Sequence, residues 1–448
     1  STTATSGIET NGNNTNDSVT LKNSTLNVPN GFGIYFPSSG TLTIDNSTIT
    51  AKTMGVQVCA GSLSINAGSA ITVSGDAVPK TENDGAIQDG AAISIVNRTG
   101  YKGLGTVTVF GGKFTAKEGN SAIKAYNWAD KTETDFTAKD KVAVSGGTFS
   151  SAVPEGLCAE GYVPTAVDAD GNYTVELKKV AEYNGTKYET LQKAIDAASK
   201  QNYGQTEVKL LCNLTITETI VFAKQYSVGS VLLNLGGYTL TGNGCRALQI
   251  NKGNLYLENG TVTSIGIIDS SSVIRIGSNE DAYSGVQPQL YMRNGAKVVA
   301  PDSYGVTLFG SKTVKEKLTV AGNASIEATG PSPAISGNGD KAYHVDGKGT
   351  EITITGNAVV SATNNYAIYH PDNGTLKIQD NASVSGKGGI QMCSGTLTIS
   401  GSPKIEALGK ADHETGAAGP IYDIAAISVV NRGYPGGAPV VTIKGTPT

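Results

Sequence analysis

The stretch Gly40-Thr41-Leu42-Thr43-Ile44-Asp45-Asn46-Ser47-Thr48-Ile49-Thr50, continued by Gly55-Val56-Gln57-Val58-Cys59, decides the fold. It holds three short runs in which apolar and polar residues alternate, separated by Gly, Asn and Ser. Leu63-Ser64-Ile65 then repeats Leu42-Thr43-Ile44 at a shift of 21 residues. Runs of three to five residues with period two are strands too short to stand alone. Recurring at this interval, they read as rungs of a solenoid in which each rung buries its apolar side against the next.

The same rung recurs along the first part of the chain, at Val19-Thr20-Leu21, at Ala92-Ile93-Ser94-Ile95-Val96, at Val107-Thr108-Val109 and at Val142-Ala143-Val144. Spacing widens around Asp76 to Asp89, Asn97 to Gly105 and Gly119 to Lys141, where insertions are expected to bulge from the corners as loops. Tyr162-Val163-Pro164 and Tyr173-Thr174-Val175 flank Asp170-Gly171, a hairpin signal, and a hairpin here would cover the open strand edges of the last coil.

A second unit begins at 179. Tyr183-Asn184-Gly185-Thr186 predicts another hairpin. Thr190 to Ala198 predicts the chain's one amphipathic helix, with Thr190 as N-cap and Leu191, Ala194, Ile195 and Ala198 on one face. Rungs resume at Val208-Lys209-Leu210 and run to Val441-Thr442-Ile443. The two halves are copies. Tyr35 matches Tyr369, Cys59 matches Cys393 and Arg98 matches Arg432, each pair 334 residues apart with no net gap. The expected organisation is therefore residues 1–178 as the trailing part of a first solenoid with its closing hairpin. Residues 179–448 are a second solenoid with an N-terminal capping hairpin and helix, cut before its own closing hairpin.

Composition agrees. The chain has 448 residues, 57 of them Gly, with 16% charged and 6% aromatic, which suits stacked short strands with many corners. A net charge of −4 argues against a nucleic-acid partner. No apolar run reaches the roughly 20 residues of a membrane-spanning helix. Five cysteines without a CxxC pair argue against a disulfide framework, and Cys59 and Cys393, each just after an apolar strand of its copy, are expected as small buried side chains.

Tyr188-Glu189-Thr190-Leu191-Gln192-Lys193-Ala194-Ile195, Leu233-Asn234-Leu235-Gly236-Gly237-Tyr238-Thr239-Leu240 and the repeated Gly-Thr-Leu-Thr-Ile rungs resemble the right-handed parallel β-helix, or pectin-lyase-like, superfamily. More closely they resemble repetitive surface proteins of anaerobic gut bacteria. The resemblance implies an all-β fold of two tandem β-helices with one capping helix, and an extracellular or cell-surface setting as a piece of a larger secreted protein. Such folds carry adhesins, lyases and hydrolases alike, so the resemblance leaves function open.

For an enzyme, the resemblance implies acidic residues on a strand-lined face beside an Arg or Lys. The set shared by both copies is Asp89, Asn97 and Arg98 with Asp423, Asn431 and Arg432, the carboxylate lying across an apolar strand from the Asn-Arg pair. Arg would grip a sugar carboxylate through two parallel hydrogen bonds; alternatively these residues satisfy turns and cover a rung. Tyr101, Trp128 and Tyr434 are the loop aromatics placed to stack on a sugar ring, with Tyr126 in the same insertion as Trp128.

Evidence for catalysis is thinner. Paired glycosidase carboxylates sit about 5 to 9.5 Å apart, yet Asp45 aligns with Asn66, and Glu82 and Asp84 face Gly416 and Ala418 in the other copy. His344, His370 and His413 lack metal-ligand spacing and are expected at the surface. No metal or cofactor is expected. The leading expectation is a non-catalytic surface protein that presents corner loops to a polysaccharide, a mucin glycan or a host or bacterial surface protein. A polysaccharide lyase or glycoside hydrolase is the alternative, and a structural spacer the third.

Overall fold

The computed structural model describes residues 5–12, 16–79, 85–129, 135–224, 228–268, 271–277, 286–310, 314–337, 348–409, 424–434 and 437–448. The chain is all-β with long parallel sheets, and it forms two compact units, Ser1–Lys178 and Lys179–Thr448.

In the first unit each strand up to Lys113–Thr115 pairs in parallel with the third strand after it, which sorts the strands into three sheets. One holds Ser6–Glu9, Phe32–Phe36, Met54–Val58, Ile93–Asn97 and Ile123–Asn127. A second holds Ser18–Lys22, Thr41–Asp45, Gly61–Ile65, Leu104–Val109 and Val142–Val144. The alternation read in Thr41–Asp45 sets its register: Leu21, Ile44, Ile65, Val109 and Val144 lie side by side as one buried or nearly buried aliphatic file. A residue with left-handed φ is needed where the chain turns sharply between strands, and Asn23 (φ 49°) and Asn46 (φ 44°) supply it. The Asn46 amide also donates to Asn23 Oδ1 at 2.8 Å.

The third sheet runs from Thr25–Val28 to Thr148–Phe149 and ends in the expected hairpin. Tyr173–Leu177 pairs antiparallel with Thr148–Phe149 on one side and Tyr162–Pro164 on the other. Asp168 closes the turn by accepting from the backbone N–H groups of Asp170 and Asn172 at 2.9 and 2.8 Å.

The second unit opens with the hairpin Ala181–Tyr183 and Thr186–Tyr188, whose turn residues Asn184 (φ 49°) and Gly185 (φ 74°) both take left-handed backbone. The helix Leu191–Ser199 follows, its first turn capped by Thr190 Oγ1 accepting from Lys193 N at 3.2 Å. Leu191, Ala194, Ile195 and Ala198 are buried in the same core cluster as Val208 and Phe222. Beyond it the parallel register stacks Leu233, Leu257, Met292, Val320, Ile354, Ile378 and Ile399 in one file, all with no exposed surface. The strand order is compatible with a β-helix in both units. All five cysteines are free, with Cys59 and Cys393 fully buried.

Two expectations are corrected. His370 is not a surface residue; it has no exposed surface and contacts Ser394. Tyr126 does not lie in a loop: part of the insertion is itself a strand, Ile123–Asn127, and Tyr126 is buried on it.

Candidate site on the outer face of the first sheet

Phe32–Phe36 and Met54–Val58 are buried along their whole length, because the first sheet is covered on both faces. Ile34, Val56, Ile93 and Ile95 point into the main core of the unit. The opposite face carries a second, smaller cluster that includes Tyr35, Cys59, Ile87, Val96 and Tyr126, edged by Tyr101 and Trp128.

A polar file runs across that face. Tyr35, Gln57, Ser94 and Lys124 occupy equivalent positions on successive strands. The Gln57 amide pairs with the backbone of Ile87 in both directions, accepting from its N–H and donating to its carbonyl, each at 2.9 Å. It also donates to Ser94 Oγ at 3.0 Å. A buried amide so completely satisfied works as an extra rung that fixes residues 85–90 over the sheet.

Asp89 sits at the end of that covering segment, 9% exposed. One carboxylate oxygen accepts from Ala91 N (3.0 Å), and the other from Ser94 Oγ (2.6 Å) and Tyr126 Oη (2.9 Å). The Tyr126 hydroxyl is pushed to a higher pKa by burial and by the Asp89 charge, so it stays a donor.

Arg98 lies beyond the other end of the same strand and is 6% exposed. Its Nη1 donates to Tyr35 Oη at 2.7 Å and to the Gly85 carbonyl at 3.1 Å. The guanidinium carbon stands 3.5 Å from the Trp128 ring centre and 4.5 Å from that of Tyr101. Tyr35 and Tyr101 share a hydrogen bond at 3.1 Å. Burial pushes the Cys59 thiol beside Arg98 up to about 12, so it remains protonated and does not neutralise the cation. Asn97 donates to Thr137 Oγ1 at 2.8 Å and to Asn127 Oδ1 at 3.5 Å, tying together two neighbouring corners.

The second unit repeats much of this. Tyr369, Gln391 and Ser428 form the corresponding file, with Gln391 donating to Ser428 Oγ at 3.4 Å. Arg432 Nη1 lies 3.4 Å from Tyr369 Oη, and Tyr369 lies 3.2 Å from Tyr434 Oη. Arg432 and Tyr434 are partly exposed and Asn431 is exposed. Asp423 lies outside the described residues, as do Glu82, Asp84, His344, His413, Gly416 and Ala418.

The structure therefore brings Arg98, Tyr101 and Trp128 together and gives Asp89 and Asn97 other partners. Sequence reasoning missed Tyr35, Gln57 and Ser94 with their copies Tyr369, Gln391 and Ser428. The available signal was a polar residue kept in both copies within an otherwise apolar strand. Asp45, weighed as half of a carboxylate pair, accepts from Asn66 Nδ2 at 3.3 Å and faces Lys22 at 3.5 Å. Among the described residues no three His, Cys, Asp or Glu side chains converge in a metal-binding group. Comparison with protein-family models, with curated proteins and with solved structures gave no match.

Proposed function

We propose that both units are right-handed parallel β-helices of the pectin-lyase-like kind, and that the chain is a non-catalytic cell-surface or secreted protein that binds glycans through its corner loops. The parallel pairing of each strand up to Lys113–Thr115 with the third one along supports the β-helix reading in the first unit. The observation that carries the functional reading is the Tyr-Arg-Tyr contact built twice, as Tyr35-Arg98-Tyr101 and Tyr369-Arg432-Tyr434. In the second copy Arg432 and Tyr434 are partly exposed and can meet a sugar, whereas Arg98 is 6% exposed and serves to build its corner.

The carboxylate nearest to an acid-base role supports the same reading. Asp89 has both oxygens engaged by internal donors, and a general acid or base must be within reach of the proton it moves. The test is a glycan array probed with the full chain, followed by overnight incubation of each hit and analysis of the products. Binding without new products is the expected result, and Arg432→Gln should weaken it. Release of oligosaccharide, above all with an unsaturated end, would replace the binding reading with a lyase or hydrolase.

A further inference from the structure

We propose that a cleft at the leading end of the second unit is a binding site for uncharged sugars. This rests on the reading above that the chain binds glycans, but assigns a place and a ligand class that the corner loops do not. The cleft is an open groove of about 600 Å³ between the Asn184-Gly185 turn and the connection that follows the helix, and every residue lining it belongs to the second unit. That volume is in the range of small-molecule sites.

Tyr203 decides the chemistry. It is 73% exposed, the highest fraction of any large apolar side chain among the described residues, so it contributes little to the core. The backbone beneath it is nonetheless fixed. The Gly204 carbonyl accepts from Ser230 N at 2.8 Å. The ammonium of Lys224, a residue only 1% exposed, donates to the carbonyls of Ser199 and Gln201. A Cβ on Gly229 would stand 3.1 and 3.2 Å from backbone carbons of Tyr203, so the two turns are in close contact. An aromatic side chain on a pinned connection keeps its place at the groove, so a ligand stacking on it orders the side chain but not the backbone.

The remaining walls select the ligand. Glu182 and Lys209 face each other across the antiparallel pair. Glu207 accepts from Asn234 Nδ2 at 2.7 Å, which leaves its second oxygen for another donor. Two carboxylates against one ammonium repel a uronate or a sulfated sugar and accept hydroxyl donors. Tyr203 offers its face to the C–H side of a pyranose, and Asn184 adds an amide that can donate and accept. The ligand that fits is a sugar with free vicinal hydroxyls and no negative charge.

The full chain should be titrated calorimetrically with mannohexaose, laminarihexaose, chitohexaose and hexagalacturonate, as wild type, as Tyr203→Ala and as the control Lys377→Ala. The expected result is binding of at least one uncharged hexasaccharide, weakened about tenfold by Tyr203→Ala and unchanged by Lys377→Ala, with thermal unfolding unaltered. Uncharged-sugar binding that survives Tyr203→Ala would overturn the cleft while leaving glycan binding in place. Hexagalacturonate binding lost in Tyr203→Ala would overturn the assigned ligand class. No uncharged hexasaccharide bound by the wild type would also overturn the cleft, and silence on the glycan array as well would remove both readings.

Discussion

The guanidinium of Arg98 is stacked on the indole of Trp128, with 3.5 Å between the central carbon and the ring centre. Trp128 is the only tryptophan in the chain. The arrangement takes a cation almost wholly out of water, which is tolerable because Tyr35, the Gly85 carbonyl and two aromatic faces replace the lost solvent.

Arg98→Ala should therefore cost about 2–4 kcal/mol, since it leaves Tyr35 and the Gly85 carbonyl without that donor and opens a gap beside the indole. Arg98→Lys should recover only part, because an ammonium cannot lie flat on the ring while donating in two directions. Urea unfolding followed by tryptophan fluorescence measures both, and equal stability in all three proteins would contradict the account.

His370 should make the protein sensitive to mild acid. Its Nδ1–H donates to the Ser394 carbonyl at 3.2 Å, and burial lowers its pKa to about 4 from an ordinary 6.5. The unfolded chain thus binds a proton that the folded chain refuses. Stability contributed by this group is intact above pH 6.5 and falls as pH drops towards 4, by about 3 kcal/mol at most. The equivalent residue of the first unit, Phe36, is equally buried. His370→Phe should be accommodated and should flatten the loss of stability between pH 6.5 and 4, measured by thermal unfolding across that range.

What could be read from the sequence, and what could not, follows from the range of each interaction. The Thr190 cap, the Asn184-Gly185 turn and the Tyr162–Pro164 hairpin are local, and neighbouring residues along the chain carry their signal. The polar file is not local: Arg98 meets Tyr35 across 63 residues, and only the stacking of strands brings them together. Ile123–Asn127 was hidden because Tyr126 is buried on its outer face while Ile123 and Ala125 are buried on the inner one, which blurs the alternation that marks Thr41–Asp45. Asp89 and Arg98 look paired because they flank one strand. Ile93–Asn97 separates its ends by about 13 Å, however, and each flanking residue meets a different set of partners.

Glu316 gives the opposite pH dependence. It has no exposed surface, and burial raises its pKa to about 8, partly offset by the Gly310 N–H, which donates to Oε2 at 2.8 Å, and by Arg275. The unfolded carboxyl ionises near 4.5. Stability from this group is therefore full below pH 4.5 and is lost as pH rises through 8, by on the order of 3–5 kcal/mol. Glu316→Gln keeps the shape and the acceptor for Gly310, and should raise stability at pH 8 while changing it little at pH 4. A variant no more stable than wild type at pH 8 would mean that the carboxylate is stabilised where it lies.

Ile378 and Lys377 test the alternation itself, because neighbours on a strand point to opposite faces. Ile378 has no exposed surface and stacks between Ile354 and Ile399. Lys377 is half-buried on the other face, beside Thr353 and Thr398. Ile378→Ala should remove about 2–5 kcal/mol, the transfer energy of the lost carbons plus a cavity that flanking rungs cannot close without breaking their own pairing. Lys377→Ala should change stability by about 0.5 kcal/mol or less. Chemical denaturation of the two variants measures the difference. Similar losses at both positions would mean that this strand has slipped by one residue, which would turn every side chain of Thr375–Ile378 to the wrong face.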